Sequence, residues 1–299
     1  MHVENIQLWD ENNNAHITAY ILDNSQEFKM NLYRPAVIVC PGGGYLWTSD
    51  REAEPVAMRY AAQGYHVFVL RYTTHYTSKP DFQNLPPGNE HSMHPQPLFD
   101  LAKAILTVRQ RASEWFIDID KIAVCGFSAG GHLAASLGAR WQDELLTEKL
   151  QVDKDLLKPN ALILGYPLVD YILMKEESEA DPSEVARGVM AHANKAAFGT
   201  TDPTAEELKK HSPVNFVTSN MPPTYIWHTS DDQLVYAVNA LQLASALAKH
   251  KVPYELHVFE NGVHGLSLSD ETTAAEPEHV NPYCEIWVDL AMKWLSKRF

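Results

Sequence analysis

The sequence predicts an α/β fold in which a mostly parallel β-sheet carries helices on both faces. Short β-branched and aromatic runs alternate with stretches of helical spacing along most of the 299 residues. Several runs, such as AVIVC, VFVL, IAVC and ALIL, are apolar throughout, as expected of strands buried on both faces of a parallel sheet. Alternating strands and helices require right-handed crossovers that place helices on the two faces.

The candidate elements follow one another in chain order. The predicted strands are 36–40, 66–72, 121–125, 161–166, 224–228 and 254–259. The predicted helices are 52–63, 98–111, 129–140, 235–250 and 283–297. The first helix stops at Gly64, and the last has a broad apolar face that we expect to dock on the sheet.

Two segments interrupt this alternation. Residues 73–97 hold five prolines and three histidines without an apolar period, which predicts a long loop. Residues 170–221 are too long for a simple crossover, and the pieces EVARGVMAHANKAAFG and TAEELKKHSP have helical character. We therefore expect a small helical insertion, and with neither repeats nor a linker we predict one domain over residues 1–299.

Composition and charge exclude several classes of protein. Lys and Arg number 24 against 38 Asp and Glu, giving a net charge of −14, and nucleic acid is not an expected partner. No apolar run approaches a membrane span, and the first residues lack a secretion signal, so we expect a cytoplasmic protein without a membrane partner. Cys40, Cys125 and Cys284 fit neither a disulfide framework nor a zinc cluster, and Cys40 and Cys125 each end an apolar run, which predicts buried thiols.

The strongest motif is GFSAG at residues 126–130, a G-x-S-x-G pattern between the third candidate strand and the third candidate helix. Flanking glycines remove the Cβ atoms that would clash where a strand turns sharply into a helix. Such a turn exposes the hydroxyl of Ser128 beside a helix N-terminus, which favours negative charge. The motif predicts a catalytic nucleophile, with a helix-capping serine as the alternative.

A nucleophilic serine needs a base, and the base needs an orienting acid. His264 lies in a glycine-flanked loop just after the last candidate strand, whereas a solvated surface histidine is the alternative interpretation. Asp231 and Asp232 both follow the preceding strand. We prefer Asp232, which begins a D-x-x-V turn into the next helix, and expect Asp231 to cap or to bind water. The resulting order of serine, aspartate and histidine is that of α/β-hydrolases.

A glycine-rich loop, PGGGY, follows the first predicted strand. Its backbone can turn the N–H groups of Gly43 and Gly44 toward a developing oxyanion, together with the N–H of Ala129. A phosphate-binding loop is excluded because no GK[ST] follows and G-x-G-x-x-G is absent. A plain glycine turn stays open as the alternative.

With these parts in order, the chain resembles the α/β-hydrolase superfamily, and within it the bacterial acetyl esterase and acetyl xylan esterase-like branch. The resemblance covers roughly residues 36–299 and lies in the segments PGGGY, SDREAEPVAMRYAAQGYHVFVLRY, GFSAGGHLAASLG, YPLVDY, SPVNFV, PPTYIWHTSDDQLV and VFENGVHGLSL. It implies a serine hydrolase without a cofactor, acting on short acyl esters of sugars or xylan fragments. Related esterases often carry HGGG, and Pro41 replaces that histidine here.

The substrate pocket is expected to be walled by Tyr45, Trp47, Tyr72 and Phe127. In this fold the three histidines of the long loop would lie near Tyr45, Trp47 and Tyr72. We therefore expect polar loop residues at the pocket entrance rather than metal ligands, because no carboxylate or cysteine of ligand spacing accompanies them. Those histidines are His75, His91 and His94.

Four further charged or titratable side chains near these motifs are candidates for a structural or catalytic role. Arg51, Glu52 and Glu54 form either a solvated helix start or, as we prefer, an ion-pair group that braces the glycine loop. His132, one turn after the candidate nucleophile, is interpreted as a packing residue rather than a catalyst. No metal site is predicted.

Three functions stay in view: hydrolysis of short-chain esters, hydrolysis of amides or peptides by the same three residues, and non-catalytic binding on the same scaffold. The acidic surface has nothing to steer an anionic substrate inward, which favours a small neutral ester as the partner. The sequence leaves open whether the chain forms a homo-oligomer.

Overall fold

The computed structural model describes residues 1–10, 15–25, 27, 33–180 and 183–299. In these residues eight strands form one sheet. They are β1 His2–Gln7, β2 His16–Ile21, β3 Arg34–Cys40, β4 His66–Arg71, β5 Ile117–Phe127, β6 Ala161–Gly165, β7 Thr224–Thr229 and β8 Tyr254–Phe259. Their order across the sheet is β1-β2-β4-β3-β5-β6-β7-β8. Strand β2 runs antiparallel to both β1 and β4, and all other neighbours are parallel.

The six predicted strands are all present, so the mostly parallel sheet is confirmed. Strand β5 begins at Ile117, earlier than predicted, because Ile117 pairs with Arg34 of β3 ahead of the buried run. The antiparallel strands β1 and β2 were not predicted. Their exposed and buried residues alternate irregularly at the sheet edge, and β1 has no fully buried residue.

Helices cover both faces of the sheet. They are α1 Glu54–Ala62, α2 Gln96–Gln110, α3 Ala112–Trp115, α4 Ala129–Arg140, α5 Glu144–Leu150, α6 Tyr171–Ala180, α7 Glu184–Phe198, α8 Ala205–Lys210, α9 Val238–Lys249 and α10 Trp287–Ser296. Helices α1 and α10 pack on one face through residues such as Val56 and Trp287. Helices α2, α4 and α9 pack on the other through Leu101, Leu133 and Leu243.

The predicted helical insertion lies between β6 and β7 and contains α6, α7 and α8. The two pieces singled out in the sequence correspond to α7 and α8, and α6 adds a third helix that was not predicted. The side chains of Leu168, Tyr171, Met174, Leu208 and Val235 form a small apolar core beneath the insertion. The insertion is thereby fixed to the loops at the carboxyl ends of β6 and β7.

The three cysteines are free and buried, as predicted for Cys40 and Cys125. Burial raises the pKa of the Cys125 thiol to about 12, so it stays protonated and unreactive. None of the helices in the described ranges is long and apolar enough to cross a membrane.

Candidate active site

The predicted site residues meet at the carboxyl edge of the parallel strands. Ser128 follows β5, Asp232 lies three residues after β7, and His264 lies five residues after β8. The glycine loop follows β3, the direct neighbour of β5. Open parallel sheets bind their ligands at this edge, because the loops from neighbouring strands converge there.

Ser128 occupies a strained turn between β5 and α4. Its backbone has φ 51° and ψ −118°, a conformation that a residue with a side chain rarely adopts. A Cβ atom on Gly126 would lie 2.2 Å from the Gly130 carbonyl oxygen, and one on Gly130 would lie 2.0 Å from the Cys40 oxygen. Both glycines of the motif are therefore required by close backbone approach, which explains the G-x-S-x-G pattern physically.

Ser128, His264 and Asp232 form one hydrogen-bonded chain. The His264 Nε2 atom lies 2.9 Å from Ser128 Oγ, and its Nδ1 atom lies 2.7 Å from Asp232 Oδ2. An ionised carboxylate only accepts, so Nδ1–H donates to Asp232 and Nε2 accepts the serine proton. The geometry places a base at the hydroxyl and an acid behind the base.

Within this hydrogen-bonded series, the charges of Asp232 and His264 stabilise each other. Burial opposes ionisation of Asp232, but the nearby His264, its hydrogen bond and the neighbouring His228 hold the pKa of Asp232 well below its usual range. Burial also lowers the pKa of His264, yet the Asp232 carboxylate outweighs it and the net pKa is raised. Asp232 thus stays ionised and favours the protonated imidazole that proton transfer from Ser128 creates.

Asp232 is held on both oxygens. Its Oδ1 atom accepts from the backbone N–H groups of Leu234 at 2.9 Å and Val235 at 3.0 Å. The buried His228 Nε2 donates to the Val235 carbonyl at 2.7 Å and lies 3.3 Å from Asp232 Oδ2. His228 is a site neighbour that sequence reasoning missed, because it stands inside the apolar strand β7.

Asp231 has a different partner from the one expected. Its Oδ1 atom accepts from the backbone N–H of Gly262 at 2.6 Å, in the loop that carries His264. Between the two adjacent aspartates, only Asp232 reaches the imidazole of His264 within the described contacts. Asp231 therefore holds the loop that carries His264, whereas Asp232 contacts the imidazole ring itself.

The glycine loop presents unused donors to the cavity above Ser128. Gly43 and Gly44 have φ values of 122° and 64°, and a Cβ on Gly43 would lie 2.2 Å from the Trp47 carbonyl oxygen. Gly43, Gly44 and Ala129 line the same cavity as Ser128. Within the described part of the chain, no acceptor takes a hydrogen bond from their three N–H groups. Their role as oxyanion donors stays a prediction.

Glu52 braces the glycine loop through hydrogen bonds to its side chain. Its buried carboxylate accepts from the Gly42 N–H at 2.7 Å and from the Tyr166 hydroxyl at 2.5 Å. Burial and then the Glu52 charge raise the pKa of Tyr166, so the phenol keeps the proton that it donates. Tyr72 adds a bond from its hydroxyl to the Pro41 carbonyl at 2.7 Å.

The predicted ion-pair group of Arg51, Glu52 and Glu54 does not form among the described contacts. Arg51 donates to the carbonyls of Gly265 at 2.9 Å and Thr273 at 2.5 Å, which ties it to the His264 loop rather than to Glu52. Glu54 is exposed in the first turn of α1. Glu52 braces the glycine loop through hydrogen bonds, and within the described contacts none of the three residues makes an ion pair, so the ion-pair interpretation is wrong.

A group of three histidines, of which His132 is fully buried and His94 and His211 are half-buried, lies behind the glycine loop. His132 Nε2 donates to the His211 carbonyl at 2.7 Å, so its Nδ1 accepts from the Tyr45 hydroxyl at 2.6 Å. His94 stacks on His211 with ring centroids 4.7 Å apart. Burial lowers the pKa of His132 to about 3 and that of His211 to about 4, so both stay neutral at ordinary pH.

This arrangement corrects the expectation for His94. The side chain is half-buried against Tyr45, with centroids 4.8 Å apart, and does not line the cavity at Ser128. His75 is half-buried beside Asn89, and His91 is exposed; neither lines that cavity. The Pro-rich composition of residues 73–97 did not indicate that the end of this loop, at His94, packs against Tyr45 and His211. In the described ranges, no three His, Cys, Asp or Glu side chains are grouped to hold a metal ion.

A cavity of about 380 Å³ opens above Ser128 and His264. Tyr45 and Trp47, two of the predicted pocket residues, line it, and their contact with a substrate stays a prediction. The other lining side chains are mainly apolar and come from the insertion and from the loop after β7: Leu168, Tyr171, Val189, Met190, Ala193, Leu234 and Val235. Sequence reasoning missed this lining, because an apolar position on a short helix does not show whether it faces the core or a ligand.

Two predicted pocket residues lie elsewhere. Phe127 is fully buried on the opposite side of the sheet, packed against Tyr166 and Trp287 at centroid distances of 5.8 and 5.7 Å. Successive strand residues point to opposite faces, and the last residue of β5 points away from the cavity. Tyr72 is buried behind Tyr45 and faces a neighbouring polar groove.

Two features from the insertion and the long loop cover the cavity. Phe82, in the long loop, contacts Trp47 at 6.1 Å and His192 of α7 at 5.7 Å between ring centroids. Val189, Met190 and Ala193 of the same helix line the cavity below this contact. The long loop and α7 therefore both contribute to the wall of the cavity at Ser128.

Comparison with known proteins gives consistent results. The family model described as BD-FAE matches residues 22–247. The chain is 32% identical over 267 residues to endo-1,4-beta-xylanase B of Butyrivibrio fibrisolvens, covering 88% of this chain and 38% of that protein. It is 28% identical over 236 residues to the acetylxylan esterase of Xylanibacter ruminicola, covering 78% of this chain and 41% of that protein. The chain thus spans about two fifths of the length of these curated relatives.

Solved structures match over the whole chain. The acetyl ester-xyloside bifunctional hydrolase from Caldicellulosiruptor lactoaceticus superposes with a TM-score of 0.74 at 32% identity, covering 98% of this chain and 96% of that one. This coverage shows that the two chains share one fold over nearly all of their length.

Proposed function

The chain belongs to the BD-FAE family of α/β-hydrolases, and we propose that it is a serine carboxylesterase acting on short acyl esters, acetyl esters of sugars or xylan fragments in particular. The observation that carries the proposal is the contact of His264 with both Ser128 and Asp232, at 2.9 and 2.7 Å. The names of its relatives, which include an acetylxylan esterase, support the ester and sugar assignments.

The first half of the reaction forms an acyl-enzyme. His264 Nε2 takes the proton of Ser128 as Oγ attacks the ester carbonyl, and Asp232 stabilises the imidazolium. The N–H groups of Gly43, Gly44 and Ala129 donate to the oxyanion of the tetrahedral intermediate. Each such donor contributes about 3–4 kcal/mol in comparable sites. The alcohol leaves with the proton held on His264 Nε2.

The second half repeats these steps with water. His264 takes a proton from a water molecule, whose oxygen attacks the acyl carbonyl on Ser128 and forms a second tetrahedral intermediate. Collapse of this intermediate releases the carboxylic acid, and the proton returns to Ser128. The residues needed for both halves are present in the chain, so the proposed reaction requires no cofactor.

The test uses p-nitrophenyl esters of acetate to hexanoate with the purified chain. We expect hydrolysis of the short esters, and loss of nearly all of it in Ser128→Ala. If Ser128→Ala hydrolyses them as fast as the unaltered chain, the nucleophile is elsewhere. Acetate release from acetylated xylo-oligosaccharides, compared with release from p-nitrophenyl butyrate, tests the sugar and acetyl parts of the proposal.

A further inference from the structure

A second depression, of about 610 Å³, opens beside the catalytic cavity. The two share Trp47, Ser49, Arg51 and Lys79 in their walls, so a ligand at Ser128 can extend into either. We call this depression the polar groove, and its own walls include Gln7, Thr48, Arg71, Thr77 and Ser78. Its volume lies within the roughly 300–1,000 Å³ that is typical of small-molecule sites.

The polar groove and the catalytic cavity differ in chemistry. The cavity is lined largely by aliphatic and aromatic side chains, whereas hydroxyl, amide and cationic groups line the groove. Within the described contacts, the side chains of Ser49, Thr77, Ser78 and Lys79 make no hydrogen bond or ion pair with other residues. Their hydrogen-bonding capacity is open to a ligand.

Two arginines give the polar groove a fixed frame. Arg71 donates to the Thr48 side chain at 3.0 Å and pairs with Asp50 at 2.7 Å. Arg51, at the junction with the cavity, is fixed to the carbonyl of Gly265, next to His264. The open polar groups are therefore supported by side chains that are already ordered, which lowers the entropy lost on binding.

We propose that the polar groove binds the alcohol part of the ester, a glycosyl unit with several free hydroxyl groups, while the apolar cavity receives the acyl group. This inference rests on the proposed esterase function. A polyhydroxylated unit in the apolar cavity would leave hydroxyl groups unpaired, at about 1–3 kcal/mol each. In the polar groove, the same hydroxyl groups can form hydrogen bonds with side chains that have no other partner among the described residues. The half-buried indole of Trp47 offers an apolar face to the C–H face of a sugar ring.

The test compares two acetate esters that differ in the alcohol. One is an acetylated xylo-oligosaccharide, and the other is p-nitrophenyl acetate, whose alcohol has no further hydroxyl group. Thr77→Trp and Ser78→Trp fill the groove, and Lys79→Met removes one donor at similar bulk. We expect the ratio of kcat/KM, sugar ester over p-nitrophenyl ester, to fall at least tenfold in the filled variants through a higher KM.

The matched control is Ser113→Trp, an exposed serine of the short helix α3 that lines neither cavity. Its ratio is expected to equal that of the unaltered chain. An unchanged ratio in both folded groove variants, verified by their thermal unfolding, overturns the inference and leaves the esterase proposal intact. Failure of the unaltered chain to hydrolyse either ester overturns the proposed function itself.

Discussion

The carboxylate of Glu52 accepts a hydrogen bond from the backbone N–H of Gly42 at 2.7 Å. The same side chain lines the cavity with Ser128 and contributes to the raised pKa of His264, after the opposing effect of burial and the larger effect of Asp232. One buried charge therefore acts on both the glycine loop and the imidazole. Tyr72 braces the same loop from its other end, through the bond from its hydroxyl to the Pro41 carbonyl at 2.7 Å.

Glu52→Gln should lower activity and change its pH dependence. The amide still fits between Gly42 and Tyr166, but the charge that favours protonated His264 is lost. Because catalysis needs neutral His264 at the start, we expect the acid limb of kcat/KM to move to lower pH. Loss of a charge-assisted bond of about 1.5–3 kcal/mol should reduce the plateau tenfold or more. Glu54→Gln, an exposed neighbour, is the control, and an acid limb equal to that of the unaltered chain would contradict this role.

Replacing the two adjacent aspartates should separate their roles. Asp232→Asn removes the acceptor that fixes the His264 tautomer, and the corresponding change in a comparable triad lowers kcat about 10⁴-fold. Asp231→Asn weakens only the bond from Gly262 N–H, so we expect about a tenfold loss at most. The measurement is kcat on p-nitrophenyl acetate. Equal losses of kcat in the two variants would contradict the assignment of Asp232, rather than Asp231, as the acid that orients His264.

The sequence determined most of the sheet and the three proposed catalytic residues, because each depends on local patterns. Apolar runs predict the buried parallel strands, and Ser128, Asp232 and His264 each follow one of them in the order required by the fold. Strands β1 and β2 escaped prediction because they lack such an apolar run: β1 lies at the edge of the sheet without a buried residue, and β2 is only partly buried.

The side-chain environment of the site was less predictable. Phe127 adjoins Ser128 in sequence, yet the alternation of β5 directs it to the far side of the sheet. His94 lies in a Pro-rich segment, yet its ring packs in a cluster whose other histidines come from α4 and from the end of α8. Such positions depend on which distant elements pack together, and this is not encoded in a short window of sequence.

Phe127→Ala should lower the stability of the fold, whereas Trp47→Ala should raise KM. Removing the fully buried Phe127 ring leaves a void beside Tyr166 and Trp287, and we expect the free energy of unfolding to fall by about 3–5 kcal/mol. Trp47 is half-buried in the cavity wall, so its loss should raise KM with little change in stability. Chemical denaturation and steady-state kinetics measure the two effects. A larger KM change in Phe127→Ala than in Trp47→Ala would restore Phe127 as a pocket residue.

The charge of the substrate is the last testable property. The net charge of −14 predicts that carboxylated esters are poorer substrates than neutral ones, through unfavourable long-range steering. The polar groove itself carries Arg51, Arg71 and Lys79 against the exposed Asp50, so local charge opposes the overall charge.

We expect kcat/KM for a carboxylated acetyl ester to lie below that of a neutral ester of equal size at low ionic strength. The difference should shrink toward 1 M salt, where the Debye length is about 3 Å. Lys79→Gln should widen the difference at low salt, because it removes an attractive charge beside the cavity, while the exposed Lys249→Gln on α9 serves as the control. A difference that is independent of salt would place the discrimination in direct contacts within the site, since screening acts on distant exposed charges far more than on buried contacts.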